Sequence, residues 1–195
     1  APGIRVQAWL GNVLAEDRLV IADPAARRRV TTAVGDVLYT GVAGVHFDLE
    51  PLRDGDPHFL AVLDDAREQT SARGAVLSVA AEPAEPVGWA EELVGKVRPA
   101  FWSRDYLAEV ASRVDQIAMM TYDSTLRSER LYGGLTARQL EVALEVVPED
   151  VDLLAGLPAY HDTTFGHRPD AETVPAAIRL EQPLPCGSAV VLLRL

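Results

Sequence analysis

Ala43-Gly44-Val45-His46-Phe47-Asp48-Leu49-Glu50-Pro51 is the stretch on which the fold turns. From Gly44 to Leu49 it reads as a strand, and side chains alternate across a strand, so Gly44, His46, Asp48 and Glu50 share one face while Val45, Phe47 and Leu49 share the other. The apolar set suits a layer of helices. The polar set then faces the opposite side, where an ionised carboxylate is costly to desolvate unless partners compensate it. Two carboxylates in a row near the C-terminal end of a buried strand therefore demand either a solvated rim with basic partners or a chemical role.

Outward from this strand, short apolar runs alternate with longer amphipathic ones, the pattern of βα units around a parallel sheet. Arg5 to Leu10 reads as the first strand. Asp23-Pro24 starts a helix to about Tyr39, the Asp capping free N–H groups and the Pro sitting where its missing donor costs nothing. Asp56-Pro57 repeats the signal for a helix ending at Gly74. Ala75 to Ala81 reads as a third strand, Glu82 to Phe101 as a long loop with a short helix, and Ser103 as the cap of a helix to about Val114. Gln116 to Tyr122 is a fourth strand. Thr136 with Gln139 reads as a capping box opening a helix to about Val147. Asp152 to Leu157 is a fifth strand, Asp170 to Leu180 a last helix and Ala189 to Leu195 a sixth strand.

Six such units predict one α/β domain, residues 1–195, with a TIM (β/α)8-type barrel that is partial, since a closed barrel of eight strands typically takes about 250 residues. The 195 residues are 48% hydrophobic, enough for a single core. A net charge of -11 argues against nucleic acid as a partner, because phosphate binding needs clustered Lys and Arg. The single cysteine, Cys186, excludes an internal disulfide framework and a cysteine-built zinc site. No apolar run reaches the roughly 20 residues that span a bilayer, and the start at Ala1-Pro2-Gly3 carries no basic-then-apolar leader.

Closeness of two carboxylates allows one to stay ionised while its neighbour holds a proton near neutral pH, which is what a glycosidic leaving oxygen requires. Glu50, the longer and nearer the rim, is the candidate general acid, and Asp48, deeper, the candidate orienting group.

The same stretch resembles the Asp-Gly-x-Asp-x-Asp-x-Glu strand motif of glycoside hydrolase family 18, the chitinase-like family, with its last Asp and its Glu retained. Met120-Thr121-Tyr122-Asp123 is similar to that family's Met-x-Tyr-Asp motif and Gly156-Leu157-Pro158-Ala159-Tyr160 to its Gly-Leu-Pro-x-Tyr turn, in the same order along the chain. The resemblance implies a hydrolase of N-acetylated glycans such as chitin or peptidoglycan, needing no cofactor. In it Glu50 protonates the leaving oxygen, Asp48 positions the 2-acetamido group that replaces an enzyme nucleophile, and Tyr122 hydrogen-bonds that group's oxygen. Asp123, Tyr160 and Glu82 join His46 and Trp9 as candidate substrate-binding residues. The sequence departs from the motif at Ala43 and His46, which stand where the family has carboxylates; a neutral His46 is expected to hydrogen-bond Asp48. By the same resemblance the chain begins at the family's third strand, which predicts an exposed edge at Arg5 to Leu10 able to support self-association, and the setting is secreted or cell-surface.

Two other readings use the same residues. A carbohydrate-binding barrel without turnover would keep the groove, with Trp9, Trp89 and Trp102 as sugar-stacking aromatics. A metal-dependent hydrolase would draw on His46, Asp48, Glu50, His161 and Asp162, although three alternate residues of one strand span roughly 13 Å, too far for one ion.

Overall fold

The computed structural model describes residues 4–15, 18–84, 101–159, 168–178 and 191–194. Six strands, β1 (Gln7–Val13), β2 (Gly44–Glu50), β3 (Val76–Ala81), β4 (Gln116–Met120), β5 (Asp152–Pro158) and β6 (Val191–Arg194), form one sheet in sequential order, every neighbouring pair parallel. The helices among the described residues are α1 (Pro24–Leu38), α2 (Pro57–Ser71), α3 (Arg104–Ala111), α4 (Glu129–Val146) and α5 (Val174–Ile178). The fold is thus mixed α/β with a parallel sheet, consistent with part of a TIM-type barrel. No helix among these residues is long and apolar enough to cross a membrane.

Local signals set most element starts. Asp23 accepts hydrogen bonds from the amides of Ala25 and Ala26, Asp56 from those of His58 and Phe59, and the Ser103 hydroxyl from Tyr106 N. Each such cap contributes about 1 kcal/mol. In β2 the expected alternation holds: Val45 and Phe47 are fully buried and Leu49 nearly so, whereas His46, Asp48 and Glu50 are half-buried. Val45, Phe47 and Leu49 join Leu77, Val79, Ile117, Met119, Leu153 and Leu157 from the other strands, and Phe59, Leu63, Leu107 and Leu140 from the helices, in one core between the two layers. Gly44 is required by this packing, because a Cβ there would lie 2.4 Å from the Val76 carbonyl oxygen.

Several boundaries depart from the sequence reading. β1 starts two residues later than expected and runs three further, through Gly11-Asn12-Val13, because all seven of its residues pair with β2, from Gln7 opposite Gly44 to Val13 opposite Glu50. The helix expected to open at Thr136 opens at Glu129, after Ser128, whose side chain makes no capping bond. Thr136 and Gln139 are therefore buried mid-helix residues rather than a capping box. Gly133 and Gly134, poor helix formers, conceal these first turns; Gly133 is there because a Cβ would come within 2.6 Å of Ala176 O, where α5 crosses. The last helix is also shorter than expected, Val174–Ile178, with 179–180 outside the described residues.

Gln7 Nε2, on β1, donates to Gln116 Oε1, on β4, over 3.1 Å. In a flat sheet those strands would lie about 14 Å apart, with side chains standing normal to the surface. Their meeting shows that the sheet curls, with the face bearing Gln7 and Gln116 on the concave side. Among the described residues β1 pairs with β2 alone, and Trp9 and Val13 along it, with Ile4 and Val6 just before it, are exposed, as expected for an open edge.

Candidate active site

Register carries the β2 alternation into its neighbours. Trp9 lies opposite His46, Gly11 opposite Asp48 and Val13 opposite Glu50 on one side; Ser78 lies opposite His46 on the other, and Gln116 opposite Ser78. Paired residues of parallel strands present their side chains on the same face, so these residues share the concave face. Two residues further along each strand the same face carries Ala80 and Ala118, then Met120. Ala80, Met120 and Tyr122 pack together as a small apolar cluster separate from the main core. Glu50 ends β2, Glu82 follows β3 directly, and Tyr122 and Asp123 follow β4, so four of the sequence-derived site residues gather at the C-terminal ends of three adjacent strands. Glu82 and Tyr122 are buried, at 6% and 7% exposure.

The loop after β4 is strained. Asp123 has φ 56° and Thr125 φ 62°. The left-handed region is tolerated by Asp but is a true outlier for a β-branched Thr, and such conformations cost about 1–3 kcal/mol each. The intervening Ser124 is buried and anchors the loop, donating to Glu172 Oε1 at 2.5 Å and accepting from Leu126 N at 3.3 Å. Beneath it, Thr121 donates to the Gly156 carbonyl through its amide and its hydroxyl. A Cβ at Gly156 would lie 3.0 Å from Tyr122 Cε1, so glycine at this point of the Gly156-Leu157-Pro158 turn lets the tyrosine ring lie against β5. Beside Tyr122 a small recess of about 20 Å³ opens between the end of β4 and α4, lined in part by Thr121, Thr136 and Gln139. Thr136 Oγ1 and Gln139 Oε1 are buried with no hydrogen-bond partner among the described residues.

Deeper on the concave face runs a polar layer. His46 Nδ1 lies 2.8 Å from Ser78 Oγ, Ser78 Oγ donates to Gln116 Oε1 at 3.1 Å, and Gln116 Oε1 also accepts from Gln7. With its proton given to Gln116, Ser78 receives the Nδ1–H of His46, which assigns the tautomer. The expectation that His46 hydrogen-bonds Asp48 is therefore corrected. His46 turns to Ser78, and the group that reaches Asp48 is the Trp9 indole, whose Nε1 donates to Oδ2 at 2.9 Å. Burial lowers the pKa of His46 below its ordinary 6.5, opposed by the charge of Asp48. The unfolded chain then binds a proton that the folded chain refuses as pH falls through 6.5, so stability declines below that point. Replacing His46 by Asn is expected to flatten this decline. Urea midpoints of both proteins at pH 7.5 and 5.5 measure it; an unchanged difference between the two pH values would count against it.

Trp102, a candidate sugar platform in the sequence, is fully buried and belongs to the core. The core is the more common place for an aromatic residue, and Trp102 follows that preference rather than the sugar-stacking reading. Ser78 and Gln116, polar residues at inward positions of otherwise apolar strands, are functional-face residues that the sequence reading passed over, although their polarity was the available signal. Tyr160, His161, Asp162, Trp89 and Cys186 lie outside the described residues, as does most of the expected loop from Glu82 to Phe101. Among the described residues no group of three His, Cys, Asp or Glu side chains is placed to hold a metal ion.

No family model matches the chain, and no curated protein matches it in sequence. Solved structures do match in fold. The protein ydhD of Bacillus subtilis, assigned as a sporulation-specific glycosylase, superposes with a TM-score of 0.58 at 21% identity, over 78% of this chain and 51% of that one. A chitinase from Chromobacterium violaceum gives 0.57 at 19%, over 80% and 50%. The spore cortex-lytic enzyme SleL of Bacillus megaterium gives 0.55 at 16%, over 78% and 36%. The fold is thus the one these structures share, and the chain spans about half their length or less.

Proposed function

We propose that this chain carries the acid-bearing part of a chitinase-like barrel of the glycoside hydrolase family 18 type, acting on N-acetylated glycans. The observation that supports this reading is that Asp48 and Glu50 share one face at the C-terminal end of β2, in the same parallel sheet as the strands β3 and β4 that Glu82 and Tyr122 follow. That end is where barrels of this class keep their chemistry. Fold alone would not suffice, since one barrel hosts many activities; the ordered motifs and the fold shared with chitinases and cortex-lytic enzymes support the choice.

In the proposed reaction Glu50 gives its proton to the glycosidic oxygen as the bond to the anomeric carbon breaks. The substrate's acetamido oxygen closes on that carbon from the opposite face, forming a cyclic oxazolinium ion. Asp48 receives the acetamido N–H and faces the positive charge that develops, Tyr122 donates to the acetamido oxygen, and Glu50, now a carboxylate, takes a proton from the water that opens the ring. Asp48 is suited to its part: Oδ1 is buried with no hydrogen-bond partner among the described residues, so an acceptor stands ready for an N–H.

The test is incubation of the purified protein with N-acetylglucosamine oligomers, with the product anomer followed by NMR. The expected first product is the β-anomer, from two displacements at one carbon. An α-anomer would overturn the mechanism; binding without any hydrolysis would establish a carbohydrate-binding barrel instead.

A further inference from the structure

Asp48 is held from the side by Trp9, a residue 39 positions away in sequence and on the neighbouring strand. The indole does not stand beside His46, its register partner, but leans along β1 over Gly11. A Cβ at Gly11 would lie 2.1 Å from Trp9 Cζ2 and 2.5 Å from Cε2, so only glycine opposite Asp48 leaves room for this posture. The posture delivers Nε1–H to Asp48 Oδ2 at 2.9 Å. Trp9 is otherwise 65% exposed, so burial does little to hold it there. His46, the nearest other candidate partner, is committed to Ser78 through Nδ1.

From this we infer that Trp9 is a positioning residue for Asp48. Its N–H ties Oδ2, leaving Oδ1 as the oxygen turned to a ligand. A hydrogen bond to an ionised acceptor is stronger than one between neutral groups and restricts the carboxylate to a single rotation. The role in turnover rests on the proposed glycosidase reading, while the contact and its effect on Asp48 do not.

The experiment compares the wild type with Trp9→Phe, which keeps an aromatic ring and removes only the donor, and with Asp48→Ala. In a ¹H–¹⁵N spectrum the Trp9 indole resonance, identified by its loss in Trp9→Phe, is expected to shift upfield and exchange faster with solvent in Asp48→Ala. In hydrolysis of a chromogenic N-acetylglucosamine oligomer, Trp9→Phe is expected to lower kcat by about 10-fold, the effect of about one hydrogen bond to a charged group, with KM changed less than about 3-fold. An indole resonance indifferent to Asp48→Ala overturns the proposal, as does a loss confined to KM, which would make Trp9 only a sugar contact. If the wild type hydrolyses nothing, the glycosidase reading fails, and the spectrum alone decides whether Trp9 holds Asp48.

Discussion

Glu50→Gln is expected to lower hydrolysis of N-acetylglucosamine oligomers by about 10²–10⁴-fold, the usual contribution of a positioned general acid. That corresponds to about 3–5 kcal/mol on the barrier. Glutamine matches glutamate in shape and keeps hydrogen-bonding capacity, so the half-buried position at the end of β2 should still be filled and the strand pairing with Val13 is a backbone matter. The protein should fold and hold the glycan, with the loss falling on kcat. Steady-state kinetics of both proteins, with binding of the oligomer followed separately by intrinsic fluorescence, check it. Turnover by the variant within about 3-fold of the wild type would remove Glu50 from the chemistry and with it the reading of the whole strand motif.

The largest stability effect is expected from Trp102→Ala, at about 3–5 kcal/mol. Trp102 is fully buried among Phe59 and Tyr106, edge-on to Tyr106 with ring centroids 5.1 Å apart, and its Nε1 donates to the Leu52 carbonyl oxygen at 3.2 Å. Removing it opens a cavity and leaves the buried Leu52 carbonyl without that donor. It also loosens the attachment of the β2–α2 segment, where Asp54 accepts from the amide and hydroxyl of Ser103. Chemical denaturation measures the loss. Glycan affinity under conditions where the variant remains folded should be unchanged, which separates a core residue from a sugar platform; a fall in affinity at unaltered stability would reverse that assignment.

Much of the site was legible because strand geometry is local. Alternation in Val45-His46-Phe47-Asp48-Leu49-Glu50 follows from bond angles alone, and it put both carboxylates on one face before any neighbour was known. The caps at Asp23, Asp56 and Ser103 were equally readable, since each side chain bonds an amide two or three residues away. The start of α4 was not: Gly133-Gly134 opposes a helix locally, and the reason for Gly133 is the crossing of α5, some 40 residues distant.

What the sequence by itself determined is the alternating βα order, the inward pair Asp48 and Glu50, and the candidacy of Tyr122 and Asp123 through their motif. Only the tertiary structure decided which groups those carboxylates meet. Register set Trp9 and Gly11 beside Asp48, curvature of the sheet brought Gln7 to Gln116, and packing took Trp102 into the core. The physical reason is one of range. Which way a side chain points is fixed by its own backbone, but what it touches depends on strands joined through loops and helices of 20 to 40 residues, whose pairing follows from burying the whole apolar face at once.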